Sequence, residues 1–190
     1  MAVDEVALAL ERGFLGREFL TWLWFRCEVE GGNFEVGGTE LGLVVEDGLA
    51  LATLEPDGAK VSIRGGTPTT RPEAAGALGT GLLLRKAKFV LASGDREWQF
   101  SLEGENLDVG SVKVPDPPEQ EEGAAGEDDD PLVTKLEAGE QLREWLDALY
   151  IQFLEVRLGK DWDRIEVPRL GSWLRTKLDA AWETVGAASA

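Results

Sequence analysis

The chain has 190 residues, with 36 Asp and Glu against 19 Lys and Arg, a formal net charge of −17 and no histidine. This length fits one medium domain, or one domain with a helical annex. Without histidine, the chain lacks the commonest general base and the commonest transition-metal ligand. The single cysteine, Cys27, excludes an internal disulfide and a multi-cysteine zinc site. We read it as a small core residue.

The charge is distributed unevenly along the chain. Residues 1–56 carry 11 acids and 3 bases, and residues 114–190 carry 18 acids and 8 bases, whereas residues 57–113 carry 7 acids and 8 bases. An acidic surface repels phosphate backbones and anionic lipid. Nucleic-acid binding would therefore need a local basic face, and only the middle third of the chain supplies one.

The N-terminal residues 2–12 predict a short helix that ends near Gly13. Val3, Val6, Ala7 and Leu10 recur at helical spacing in this stretch. It does not look like a secretory signal, and the chain has too few cysteines for disulfides, so we expect a cytoplasmic location.

The stretch from Leu15 to Phe25 predicts the central element of the fold. After Glu18 its only polar residue is Thr21, and it contains Trp22 and Trp24. A helix that is apolar nearly all round is normally buried, and this one is too short to cross a bilayer, which takes about 20 apolar residues. We expect a helix laid across a sheet, with both tryptophans largely buried.

The next residues predict an antiparallel meander of about six strands with one apolar face. Asp47-Gly48 is typical of a hairpin turn, and Pro56-Asp57-Gly58 predicts a second turn. A short helix is expected over Pro72–Leu78, with Thr70 as its cap. The predicted strand segments are Asn33–Val36, Leu41–Glu46, Leu49–Leu54, Lys60–Arg64, Leu84–Ala92, Glu97–Leu102 and Leu107–Val114.

The C-terminal third predicts an acidic linker followed by a helical pair. Residues 115–130 hold eight acids, no base and no large apolar residue, a composition typical of a disordered linker. A long helix should follow from Pro131 to Leu158, and then a second helix carrying Trp173 and Trp182. We expect domain limits of 1–114 for an α+β core, 115–130 for the linker and 131–190 for a helical hairpin that packs on the core.

No catalytic constellation is present, so we expect a non-enzymatic protein without a cofactor or a metal site. The glycines of Gly76–Gly81 follow a helix, whereas a dinucleotide fingerprint needs a preceding strand and a following helix. Acidic pairs are too common in so acidic a chain to indicate a glycosidase.

Two sets of side chains are candidates for binding. The first is a basic set on neighbouring strands, suited to phosphate contact, although a solvated face paired to Glu97 and Glu103 would have the same sequence. The second is a set of C-terminal aromatics, which by default would be core but could form a partner interface or a dimer seam. The basic set is Lys60, Arg64, Arg85, Lys86 and Lys88, and the aromatic set is Trp145, Trp173 and Trp182.

Two stretches resemble recombination-associated proteins of the RdgC type. They are Leu15-Gly16-Arg17-Glu18-Phe19-Leu20-Thr21-Trp22-Leu23-Trp24, and Gly81–Pro115 with its Leu83-Leu84-Arg85-Lys86-Ala87 and Arg96-Glu97-Trp98-Gln99-Phe100-Ser101-Leu102. The resemblance covers about half of this chain and the C-terminal half of a typical member. It implies a non-enzymatic protein that binds duplex DNA without sequence preference as a ring-like dimer and restrains a recombinase. It carries over no binding residue.

The sequence therefore predicts an α+β fold: an antiparallel β-sheet packed on a central apolar helix, with a C-terminal α-helical hairpin. An RdgC-like protein that binds duplex DNA is the first functional hypothesis. A protein–protein interaction module that uses the aromatic hairpin is the second.

Overall fold

A computed structural model describes residues 15–53, 58–116 and 131–188. The helix predicted over residues 2–12 lies outside these residues. So do nearly all of the acidic linker and most of the turn predicted at residues 56–58.

The described residues form an α+β fold with four α-helices and a six-stranded antiparallel sheet, as the sequence predicts. The helices are α1 (Gly16–Val29), α2 (Pro72–Gly79), α3 (Pro131–Arg157) and α4 (Val167–Ala188). The strands are β1 (Asn33–Val36), β2 (Thr39–Ala52), β3 (Lys60–Arg64), β4 (Leu83–Ser93), β5 (Arg96–Glu103) and β6 (Val109–Lys113). A 3₁₀ turn at Pro68–Thr70 precedes α2, and a π-helical turn at Trp162–Glu166 precedes α4.

The long strand β2 organises the sheet. Its beginning pairs with β1 and its end with β3, so these two short strands follow one another along the same edge. Its other edge pairs with β4, and β5 and β6 continue the sheet from there. The strands are therefore not joined as a simple meander, because β3 lies on the far side of β2 from β4.

The hairpin predicted at Asp47-Gly48 is wrong, because β2 runs straight through these residues. Both halves of β2 pair with the single continuous strand β4, and the register shifts between Glu46 and Leu49. Asp47 takes a positive φ of 25°, and its carbonyl accepts a hydrogen bond from the Gly65 amide at 2.9 Å. The dipeptide forms a bulge rather than a turn, since pairing with β4 outweighs the local turn preference.

Helix α1 lies on the inner face of the sheet, as predicted. Trp22 is 1% exposed and Trp24 is fully buried. Thr21, the one polar residue between Glu18 and Phe25, is hydrogen-bonded: its hydroxyl accepts from the Leu84 amide at 2.9 Å and donates to the Arg17 carbonyl at 2.9 Å. Hydrogen bonds offset the cost of withdrawing this partly buried hydroxyl from water.

The two C-terminal helices pack into the same core at different places. Helix α3 contacts α1 and β1, whereas α4 contacts α2 and α1. The indole Nε1 of Trp98 in β5 donates to the Ala138 carbonyl in α3 at 2.9 Å.

Helix α2 forms where it was predicted, but Thr70 does not cap it. Thr70 lies in the 3₁₀ turn, and Arg71 occupies the N-cap position without a side-chain cap.

Candidate nucleic-acid interface

The outer face of the sheet presents the basic residues of the middle third. Alternation in β4 directs Ala87 and Phe89 into the core and leaves Lys86 and Lys88 exposed. Val44 of β2 is 59% exposed and pairs with Val90 of β4. An antiparallel sheet with one solvated face commonly shows this alternation.

A groove of about 420 Å³ opens on this face around the bulge of β2. We call it the outer-face groove. Three cations line it: Arg64 from β3, and Lys86 and Lys88 from β4. Arg64 pairs with Gly48 of β2, and Lys86 pairs with Ala50 of the same strand. The groove therefore has cations on both sides of the β2 backbone.

Small residues make the floor of the groove accessible. Gly48, Ala50 and Ser62 line it, and a Cβ atom added at Gly48 would meet no atom within 4 Å. A groove with small residues between cations on two sides leaves room for the phosphates of an extended polyanion. Asp47 also lines the groove and reduces its positive charge.

The five predicted basic residues differ in their surroundings. Lys86 pairs with Glu103 at 2.6 Å, which is one of the two acidic partners expected of a solvated face. Among the described residues, Arg64 and Lys88 form no ion pair. Lys60 is exposed on the same strand as Arg64 but does not line the groove. The groove thus unites three of the five predicted residues, and two of these three form no ion pair, although Glu46 of β2 lies opposite Lys88 in the strand register.

Arg85 does not line the groove. Its Nε lies 3.2 Å from the Glu105 carboxylate, which Arg17 of α1 also contacts at 2.5 Å. The hydrogen bond from Arg17 is the main reason that the pKa of Glu105 lies below its usual range, and the charge of Arg85 lowers it further. The structure therefore places Arg85 apart from the other groove cations, beside Glu105.

The amino-acid sequence did not predict the bulge in β2 that shapes the groove. Asp47-Gly48 had a strong local signal, but that signal indicated a hairpin. Ser62 and Gly65 line the groove from β3 and the turn after it, and nothing in their local sequence distinguished them from any other turn or strand residue.

Two of the three predicted interface tryptophans are core residues. Trp145 is 7% exposed and packs edge-on against Trp98, with ring centroids 4.9 Å apart. Trp173 is 9% exposed and packs against Trp24 and Phe25. The default interpretation of the stripe as core is confirmed for these two. Neither can form a partner surface, and Trp182, at 73% exposure, is the only member of the set that can.

Other reactive chemistry is limited in the described residues. Burial raises the pKa of the Cys27 thiol to about 12, so this thiol is protonated at neutral pH and is a poor nucleophile. Within residues 15–53, 58–116 and 131–188, no group of three or more Cys, Asp or Glu side chains could hold a metal ion. The helices of the same ranges include none that is long and apolar enough to span a bilayer.

No protein-family model matches the sequence, and no curated protein is significantly similar to it.

Proposed function

We propose that this chain is a non-enzymatic, cytoplasmic, RdgC-like recombination-associated protein that binds duplex DNA without sequence preference. One observation carries the proposal: Arg64, Lys86 and Lys88 come from two strands on either side of β2 and line one groove. The resemblance of Leu15–Trp24 and Gly81–Pro115 to that family supports it. Cations line the groove from both sides of β2, which favours contacts to the phosphate backbone over contacts that read sequence.

The net negative charge of the chain limits how DNA could bind to it. The chain carries −17 overall, so a duplex is repelled at long range and is attracted only close to the groove. Arg64 and Lys88 should supply most of that attraction, because Lys86 already has Glu103 beside it. Binding should be weak at physiological salt and much stronger at about 50 mM salt.

Charge reversal of Arg64 and Lys88, the two groove cations without an ion pair, tests the proposal. In the double variant Arg64→Glu/Lys88→Glu, we expect the loss of measurable retention on duplex DNA at about 50 mM salt. If residual binding can be titrated, the slope of log K against log salt should fall by about 2, since each phosphate contact contributes about 0.9. Fluorescence anisotropy with two unrelated duplexes of equal length measures affinity and sequence preference together.

The matched control is Lys160→Glu/Arg175→Glu, which changes the net charge equally at exposed residues outside the groove. Equal losses in both double variants would show that only net charge matters, which contradicts a site at the groove. A wild-type protein that does not bind duplex DNA at about 50 mM salt would rule out the proposal altogether.

A second function, a protein–protein interaction module, is favoured by one feature. Trp182 near the end of α4 is 73% exposed, and exposed tryptophans are enriched among residues that dominate binding energies. If the chain is such a module, groove variants should be silent. Trp182→Ser should then abolish self-association or partner capture, measured by light scattering and pull-down. Val44→Ser, which changes another exposed apolar residue, on the sheet, should have no effect.

A further inference from the structure

The outer-face groove extends past β3 to the turn that follows this strand. Gly65, the first residue after β3, lines the groove together with Arg64. The side chain of Arg71, six residues further along the chain, reaches back to this turn, and its Nη2 donates to the Gly65 carbonyl at 3.2 Å. A fourth cation therefore lies at the rim of the groove, next to the strand that carries Arg64.

The guanidinium of Arg71 is available to a ligand. The residue is exposed, and among residues 15–53, 58–116 and 131–188 it has no acidic partner in an ion pair. The hydrogen bond to Gly65 uses one of the five N–H donors of a guanidinium. Such groups bind phosphate oxygens through charge-assisted hydrogen bonds, often two at a time. Arg71 is thus held at the groove with donors to spare.

The stability of helix α2 does not explain an arginine at this position. Arg71 occupies the N-cap of α2, but its side chain does not cap the helix. The N-cap position favours Ser, Thr, Asp and Asn, whose side chains accept hydrogen bonds from the first helical amides. A positive charge there is also disfavoured by the helix dipole. The contact with Gly65 is what determines where this guanidinium lies.

The strand register shows how the cations of the groove are arranged. Lys86 of β4 and Ser62 of β3 lie opposite the same residue of β2, Ala50, on its two sides. Neighbouring strands are about 4.8 Å apart, so the cations of β4 and β3 are separated by about 10 Å. On the other side of β4, Lys86 lies opposite Glu103 of β5. The positive side chains therefore extend across the strands, from β4 over β2 and β3 to the turn at Gly65, and an acid bounds them at β5.

We propose that Arg71 is a further phosphate-binding residue of this interface and that a bound duplex lies across the strands, from Lys86 and Lys88 past Arg64 to Arg71. This adds a contact and a direction to the DNA binding proposed above, on which it rests. A duplex aligned along β4 would not reach Arg71.

The variant Arg71→Asn tests the proposal, because asparagine is a favoured N-cap residue and should leave α2 folded. In fluorescence anisotropy with a duplex, we expect binding to be about tenfold weaker than in the wild type at about 50 mM salt. The slope of log K against log salt should be smaller by about 0.9, the contribution of one phosphate contact. The control is Arg143→Asn, the same change at an exposed residue of α3 outside the groove, and its slope should equal that of the wild type. Thermal melting must show that both variants are folded.

A chemical footprint on the wild-type chain gives a second measurement. Phenylglyoxal modifies accessible guanidinium groups, and mass spectrometry locates the modified arginines. We expect a saturating amount of duplex DNA to protect Arg64 and Arg71 and to leave Arg143 reactive.

The outcomes separate this proposal from the DNA binding on which it rests. If Arg64→Glu/Lys88→Glu abolishes binding, but Arg71→Asn binds like the wild type and Arg71 stays reactive in the complex, the role of Arg71 is overturned and the DNA binding stands. Equal losses in Arg71→Asn and Arg143→Asn would also overturn the role of Arg71, since only net charge would then matter. A wild-type chain that does not bind duplex DNA would overturn both proposals.

Discussion

The carboxylate of Glu28 in helix α1 contacts three hydrogen-bond donors, one in α1 and two in helix α4. Its carboxylate accepts from the indole Nε1 of Trp24 at 2.6 Å and of Trp173 at 2.8 Å. It also forms an ion pair with Lys177 at 2.8 Å. The Lys177 ammonium lies 5.0 Å from the centroid of the Trp24 ring and 5.6 Å from that of Trp173, within the range of cation–π attraction. A single carboxylate thus satisfies the polar atoms of two buried tryptophans.

We predict that Glu28→Ala lowers the free energy of unfolding by about 3 kcal/mol. The change leaves two indole N–H groups without their acceptor and removes the negative charge beside the Lys177 ammonium, which keeps its hydrogen bond to the Thr69 carbonyl. Urea denaturation followed by tryptophan fluorescence measures the loss. Glu40→Ala, which removes an exposed carboxylate of β2, should change stability by less than about 0.5 kcal/mol. Equal stability of the two variants would show that the three contacts to Glu28 contribute little.

Gly16 in α1 and Gly171 in α4 differ in the space around them. At Gly16, the first residue of α1, an added Cβ atom would lie 2.5 Å from the backbone oxygen of Gly104. At Gly104, an added Cβ atom would lie 2.9 Å from the Cα atom of Arg17. The start of α1 therefore contacts the turn after β5 backbone to backbone. At Gly171 in α4, an added Cβ atom would meet nothing within 4 Å.

We predict opposite signs for the two alanine substitutions. Gly171→Ala should raise the free energy of unfolding by about 1 kcal/mol, because alanine costs less than glycine in an exposed helix. Gly16→Ala should lower it by about 1–3 kcal/mol, since the methyl group must displace backbone. Thermal melting of the two variants beside the wild type checks both. A stabilised Gly16→Ala would show that α1 can move away from Gly104 at little cost.

The described elements share one apolar core. Buried residues of α1, of the sheet and of α3 belong to one cluster, and Trp173 adds α4 to it. Arg157 at the end of α3 pairs with Glu18 of α1 at 2.7 Å, and Gln152 of α3 donates to the Glu35 carbonyl at 2.7 Å. The C-terminal helices are thus fastened to the rest of the fold by apolar and polar contacts alike.

We therefore predict a single cooperative unfolding transition for the chain. Near-ultraviolet circular dichroism reports the packed tryptophans, and far-ultraviolet circular dichroism reports the helices, of which α3 and α4 are the longest. The two signals should have the same midpoint in urea, as expected of a two-state domain. A separate, earlier loss of helical signal would indicate that residues 131–188 unfold independently of the sheet.

The local sequence pattern was sufficient to predict structure in segments where the distribution of apolar residues is unambiguous. The apolar run after Glu18 predicted the buried helix α1, because no tertiary arrangement could leave two tryptophans and their apolar neighbours in water at low cost. The alternation of Ala87, Phe89 and Leu91 with Lys86 and Lys88 predicted which face of β4 is buried. Charge counting identified the middle third as the only place for a basic surface.

Tertiary structure decided which of these residues meet. Asp47-Gly48 has the composition of a hairpin turn, yet it forms a bulge, because the free energy of pairing both halves of β2 with one long β4 exceeds the preference of two residues. The same bulge unites Arg64 with Lys86 and Lys88, while Arg85, adjacent in sequence, pairs with Glu105 elsewhere. Trp173 and Trp182 lie on one predicted stripe, but only Trp173 reaches Trp24 and Glu28. Sequence determines which side chains must leave water; the packing of distant segments determines which of them find a partner inside the fold and which stay exposed.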